Sequence, residues 1–266
     1  MKPTTVFDLF ATCTNAITRG VLIQQVSRTD KEFHFQNWFG ARLEETGVLF
    51  DLRGRNAYPD FILVEYQEGY EVKGLAWPGR ETTYDSNSQV PTGFHNGRAV
   101  FYVFGRYPPA DQGEVEYPVI DLVICHGEFL NADHTYQHKN KSVKGFGSYG
   151  DIMIRDRKMY VARTPYSLAD GLTGTHTLIV PATWTAPQGF RLVGALQRRE
   201  AELLVVGYAF DLRTNTITPA TVPNPTAGAI HSFHAYRLEG DSERSVHLVP
   251  RTSVAGQSEP DNEASE

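Results

Sequence analysis

Two carboxylates and an ammonium group stand close together in Tyr58-Pro59-Asp60-Phe61-Ile62-Leu63-Val64 and Tyr70-Glu71-Val72-Lys73-Gly74. Read as strands, these segments put Glu71 and Lys73 on one face, with Val72 turned the other way toward a core. Gln67-Glu68-Gly69 supplies a turn, so a hairpin carries Asp60 back toward Glu71. Burying such a group for structure alone is costly, because desolvated charges need excellent pairing. Hard carboxylate oxygens together with water and phosphate suit Mg²⁺, which makes Asp60 and Glu71 the candidate metal ligands. Lys73 can orient a water, lower its pKa and offset the charge that builds on a phosphorane. These are the parts needed for metal-assisted hydrolysis of a phosphodiester.

The elements that must position these residues are legible on both sides. Thr29-Asp30-Lys31-Glu32 has the capping-box pattern, in which a Thr and a Glu satisfy each other's orphan amides. Phe35, Trp38, Phe39, Leu43 and Thr46 follow at helical spacing. Gly47 offers a left-handed stop, so a helix is predicted over 30–46.

At these residues the chain resembles the PD-(D/E)XK nuclease superfamily, which includes most type II restriction endonucleases, Holliday-junction resolvases and mismatch-repair nickases. The matching motif is Pro59-Asp60 followed by Glu71-Val72-Lys73. Resolvase-like members carry a helix with Glu, apolar residues three and seven positions on, and Gly eleven on. Gln36, Phe39, Leu43 and Gly47 hold that spacing here, with Gln where Glu is usual. An amide can hold a metal-bound water or a phosphate but adds no negative charge, and Glu44 and Glu45 are alternatives for the helix position. The resemblance covers Thr29 to Gly74. It implies an α/β, restriction-endonuclease-like central mixed sheet flanked by helices, with β-rich additions. It implies Asp60, Glu71, Lys73 and Gln36 as catalytic residues, Mg²⁺ on Asp60 and Glu71, and double-stranded DNA as substrate. A type II restriction enzyme is the expected kind, because the chain exceeds a minimal nuclease core. A homodimer is expected with it, since a symmetric protein matches a palindromic site.

The remaining chain reads as one domain over 1–251, with a catalytic core of about 29–125. Strands are predicted at 99–104, 119–125, 153–162 and 176–180. A hairpin is predicted from 203–211 and 216–221, a closing strand at 231–238, and a second helix over 5–26. Restriction enzymes of this superfamily insert base-reading elements around the catalytic sheet. Two stretches suit that role, about 76–97 and about 138–250. The first holds Arg80, Asn87, Gln89 and His95, types that read guanine and adenine edges. The second holds Lys139, Lys141, Lys144 and Arg155 among glycines that let backbone approach phosphate. Gln197-Arg198-Arg199 is a third, smaller candidate.

Composition narrows the classes. A chain of 266 residues with 41% hydrophobic residues can bury a full core without staples. The net charge of −6 looks wrong for a DNA partner. However, 252–266 carries Glu259, Asp261, Glu263 and Glu266 and no Lys or Arg. Without that stretch, which has the composition of a disordered acidic tail, the body is near −2, and local charge placement governs phosphate contact. Cys13 and Cys125 are too few for a disulfide framework or zinc site and read as free core thiols. No apolar run is long enough to span a bilayer and no signal-peptide core is present, so a cytoplasmic protein without a membrane partner is expected. No Gly-rich phosphate loop ends in Lys-Ser/Thr, so no nucleotide cofactor is expected. Three rivals stay open. One is a modification-dependent nuclease, with Trp77, Tyr84 or Trp184 in a methyl-reading cage. The second is a non-catalytic DNA-binding protein that retains the fold. The third is a β-rich small-molecule binder.

Overall fold

The computed structural model describes residues 5–25, 31–52, 58–79, 81–86, 89–108, 116–138, 143–146, 151–154, 160–169, 171–211, 213–214 and 216–241. The chain opens with α1 (Val6–Thr18), β1 (Ile23–Gln24), α2 (Lys31–Glu45), β2 (Phe50–Leu52), β3 (Phe61–Leu63) and β4 (Glu68–Ala76). It continues through β5 (Thr83–Ser86), β6 (Phe94–His95), β7 (Arg98–Tyr107), β8 (Glu116–Tyr117), β9 (Asp121–His126), α3 (Gly127–Asn131) and β10 (Gln137–His138). Then come β11 (Val143–Phe146), β12 (Asp151–Ile154), β13 (Tyr160–Arg163), α4 (Pro165–Leu168) and β14 (Thr177–Pro181). The last described elements are β15 (Phe190–Arg199), β16 (Leu203–Asp211), β17 (Thr216–Pro223) and β18 (Ile230–Leu238).

This is an α/β architecture around one large mixed sheet flanked by few helices. Nine strands form that sheet in the order β15-β18-β14-β9-β7-β4-β3-β2, with β6 paired to the start of β7. β4 runs parallel to β7, and β9 parallel to β14; the other neighbours are antiparallel. The central strands β7 and β9 are buried on both faces, which explains their unbroken apolar runs.

Each face has its own core. On one, α1 and α2 lay Val6, Phe10, Phe35 and Phe39 against Phe61, Tyr70, Val72 and Phe101. Each such side chain contributes roughly 1.5–3 kcal/mol by leaving water. Gly74 and Gly105 are required here: a Cβ on Gly105 would overlap the Phe35 ring, and one on Gly74 would crowd Phe35 and Tyr107. The Glu68 carboxylate, at the start of β4, accepts hydrogen bonds from Thr5 N at 3.0 Å, Thr5 Oγ1 at 2.6 Å and Tyr70 Oη at 2.8 Å. An anion at the start of α1 also meets the positive end of its dipole. The other face holds Leu75, Tyr84, Tyr102, Phe104, Cys125 and Phe129, roofed by α3, α4 and the small sheet β10-β13-β5.

Several elements differ from the sequence expectation. The first helix stops at Thr18, where Gly20 at φ +77° turns the chain into β1. The candidate base-reading stretch 76–97, for which no strand was predicted, contributes β5 and β6. The span 153–162 is divided between β12 and β13. The edge strand β15 was not anticipated. Gly47 takes φ +69° after α2, as its position required. Thr29 and Asp30 of the capping box and the 252–266 tail lie outside the described residues. Cys13 and Cys125 are both buried and free, and burial pushes both thiols up. No helix among the described residues is long and apolar enough to cross a membrane.

His126, at the end of β9, gives the fold a measurable pH dependence. Its ring is fully buried among Phe94, Phe101 and Trp184. Burial lowers its pKa from 6.5 to about 4. The unfolded chain therefore takes up this proton first, and stability drains away as pH falls from 6.5 toward 4. At about 1.36 kcal/mol per pKa unit the loss is about 3 kcal/mol. Urea unfolding at pH 7.5 and pH 4 should show wild type losing that much more than His126→Phe. Equal losses would mean that the imidazole is not held neutral.

Candidate active site

The hairpin β3–β4 builds the site. Phe61 pairs with Tyr70 and Ile62 with Gly69, so the register continued by one step sets Asp60 opposite Glu71. Phe61 and Tyr70 point into the α1–α2 core, which leaves Asp60, Glu71 and Lys73 for the opposite face. Asp60 Oδ2 accepts the Val72 backbone N–H at 2.7 Å, locking the carboxylate to β4. Lys73 Nζ donates to Glu71 Oε1 at 2.6 Å. The pair is largely buried, with 24% of the Lys73 and 12% of the Glu71 side chain exposed. The structure thus brings Asp60, Glu71 and Lys73 together.

Aromatic rings wall the site. Tyr102 lies beside Glu71 in the β4–β7 register, and its hydroxyl meets that of Tyr58 at 2.9 Å. Tyr84 comes in from β5, with its ring 6.2 Å from Tyr102 and 5.1 Å from Phe104. Burial raises the phenol pKa of Tyr58, Tyr84 and Tyr102, and the nearby Glu71 charge raises each further. Alternation could have found Tyr58, two residues before Asp60. Tyr84 and Tyr102 arrive through pairings between distant strands, which local sequence does not encode.

Two buried oxygens here, Glu71 Oε2 and Tyr84 Oη, have no hydrogen-bond partner among the described residues. An unsatisfied buried group costs about 1–3 kcal/mol. The described residues include no group of three or more His, Cys, Asp or Glu side chains set to hold a metal. Asp60 and Glu71 are a pair, and a pair fits Mg²⁺, which binds through one or two carboxylates and keeps several waters. The unpartnered Glu71 Oε2 is the donor that such an ion would satisfy.

Gln36 is not gathered into this group. Its neighbours Phe35 and Phe39 pack into the α1–α2 core, so α2 covers the sheet face opposite Glu71 and Lys73. Among the described residues no hydrogen bond joins the Gln36 side chain to Asp60, Glu71 or Lys73. Glu44 and Glu45 lie exposed at the far end of α2, where Glu45 takes Arg42 at 2.7 Å. His95 does approach: its ring sits 5.0 Å from that of Tyr58, at the end of β6 just before the tight turn Asn96-Gly97 that leads into β7. Gln89 is half-buried, and its carbonyl accepts the Ser86 hydroxyl. Lys144 sits in β11 opposite Met153. Arg80, Asn87, Lys139, Lys141 and Arg155 lie outside the described residues.

Two further groups acquire definite places. Arg198 is buried, pairs with Asp133 at 2.5 Å and covers the Phe129 ring, so packing occupies it. Tyr84 and Trp184 belong to opposite faces of the sheet, and Arg106 lies over the Trp77 ring; the three do not form one cage. No protein-family model matches the chain, and no curated protein sequence matches it significantly.

Proposed function

We propose that this chain is a Mg²⁺-dependent endonuclease of the PD-(D/E)XK type, hydrolysing phosphodiester bonds of double-stranded DNA. The observation that carries the proposal is the grouping of Asp60, Glu71 and Lys73 on one sheet face, with Glu71 Oε2 buried and unpartnered among the described residues. The central mixed sheet accords with a restriction-endonuclease-like core. The β-rich additions beyond a minimal core favour a type II restriction enzyme, acting as a homodimer on a palindromic site.

The residues divide the work. Asp60 and Glu71 would hold the ion, which supplies Lewis acidity toward a phosphoryl oxygen and a more acidic bound water. The Val72 N–H fixes Asp60, so the carboxylate keeps its place without reorganising. Lys73 has three N–H donors. One goes to Glu71 Oε1, and another would hold the attacking water. The ammonium then faces the phosphate as negative charge builds, while the P–O bond opposite the water opens. The ring wall of Tyr58, Tyr84 and Tyr102 lowers the local dielectric and strengthens each of these interactions.

The direct test incubates the protein with unmethylated and methylated plasmid in Mg²⁺ or EDTA and maps the ends. Discrete ends in Mg²⁺ and intact plasmid in EDTA are expected. Binding without cutting would favour a non-catalytic DNA-binding protein, and neither binding nor cutting would remove DNA from the account. Lys73→Ala should lower cleavage by about 10²–10³-fold, the usual loss for one transition-state donor. Its affinity for the same DNA in EDTA should not rise, because a positive charge near the phosphate has gone. A gel-shift titration beside the cleavage assay reads both.

A further inference from the structure

We infer that the Tyr84 hydroxyl, backed by the Tyr58–Tyr102 hydroxyl pair, holds water of a hydrated divalent cation against Glu71. The three tyrosines are then positioning residues of the metal site. The inference rests on the nuclease proposal only for the identity of the two ligands, Asp60 and Glu71.

Tyr84 is buried, with its ring 5.1 Å from that of Phe104 and in one apolar cluster with Leu75 and Val100, a setting that phenylalanine would fill equally well. A hydroxyl retained there needs a polar counterpart, and among the described residues it has none. Glu71 Oε2 is likewise buried and without a hydrogen-bond partner among the described residues. The Glu71 charge reaches the phenols of Tyr58, Tyr84 and Tyr102 alike. Tyr102 is the lateral neighbour of Glu71 in the sheet and shares its hydroxyl with Tyr58 at 2.9 Å. Magnesium dehydrates reluctantly and keeps several waters when only two carboxylates bind it. Those waters need partners beyond the carboxylates, and phenol hydroxyls can both donate and accept. Groups in such outer positions set metal affinity by about 10–100-fold.

The test uses Mn²⁺ alone as the probe, with free ion read by electron paramagnetic resonance and apo stability by thermal unfolding. Tyr84→Phe should weaken Mn²⁺ binding about 10–100-fold while raising the apo Tm by about 2–4 °C, because an unsatisfied buried hydroxyl has gone. Tyr58→Phe and Tyr102→Phe should also weaken Mn²⁺ binding but lower the apo Tm, since each strands its partner. The opposite signs separate a metal-positioning hydroxyl from a merely structural one. The inference is overturned if Tyr84→Phe binds Mn²⁺ within twofold of wild type, or if it lowers the apo Tm. Should wild type bind Mn²⁺ through Asp60 and Glu71 yet cut no DNA, the nuclease proposal falls and the tyrosine assignment stands. If wild type binds no Mn²⁺, both fall.

Discussion

Asp60→Asn is expected to abolish Mg²⁺-dependent cleavage and to bind target DNA in EDTA at least as tightly as wild type. The substitution removes one charge and keeps the shape. Its amide oxygen can still accept the Val72 N–H that Asp60 Oδ2 takes at 2.7 Å, so the hairpin register survives. Without metal, the native carboxylate repels the scissile phosphate at short range in a partly desolvated site, where such terms reach kcal/mol size. Removing it relieves the repulsion and deletes a metal ligand together. The loss of cutting should exceed the roughly 10²–10³ typical of one transition-state donor. Asp60→Ala provides the contrast, since it loses the charge and the Val72 hydrogen bond both. Gel shifts in EDTA and cleavage in Mg²⁺ are the measurements. Normal cutting by Asp60→Asn would place the active site elsewhere. A folded variant that neither cuts nor binds would make Asp60 a DNA-positioning residue.

The second large effect concerns stability. Asp121→Ala should cost about 3–5 kcal/mol, the usual penalty for leaving one member of a buried ion pair alone. Arg106 on β7 grips Asp121 through Nε at 2.8 Å and through Nη2, and Tyr166 Oη donates to the same carboxylate at 2.7 Å. The guanidinium lies between the rings of Trp77 and Tyr166, 5.2 and 4.2 Å from their centroids. Deleting the carboxylate strands a cation between two aromatic faces with 13% of its side chain exposed. In the parallel register Arg106 stands opposite Leu75, so the cluster fixes β4 just beyond Lys73. Urea denaturation reads the cost. The double variant Arg106→Met with Asp121→Leu should recover most of it, because apolar replacement of a buried pair is often neutral or better. A loss below 1 kcal/mol for Asp121→Ala would show that water reaches the pair.

How far sequence carried the site follows from the range of each interaction. The hairpin, the shared face of Glu71 and Lys73, and the meeting with Asp60 all follow from strand alternation and a short turn. The helix over 30–46 and the apolar runs of β7 and β9 were equally plain, since their periodicity is local. Gln36 shows the limit: spacing along a helix says which residues share its stripe, not which face of a sheet the stripe covers. Phe35 and Phe39 sank into the α1–α2 core, and Gln36 went with that side. The edge strand β15 was illegible because its burial barely alternates along Phe190–Arg199. No local pattern marks His231. In the fold it bridges Glu128 at 2.9 Å and Glu200 at 2.7 Å, contacts made only once α3, β15 and β18 have met.

The bond from Val72 N–H to Asp60 spans only 12 residues, whereas Tyr58 to Tyr102 spans 44 and Thr5 to Glu68 spans 63. Loop-closure entropy rises with the logarithm of length, so joining the longest of these costs about 1.5 kcal/mol more than the shortest. The two carboxylates therefore meet within a local unit that can form in microseconds, ahead of the tyrosine wall and the anchoring of α1. During refolding the charged cluster is expected to assemble first and to be enclosed afterward. Substitutions that disturb the hairpin turn should slow refolding, while those in the enclosing rings should chiefly hasten unfolding.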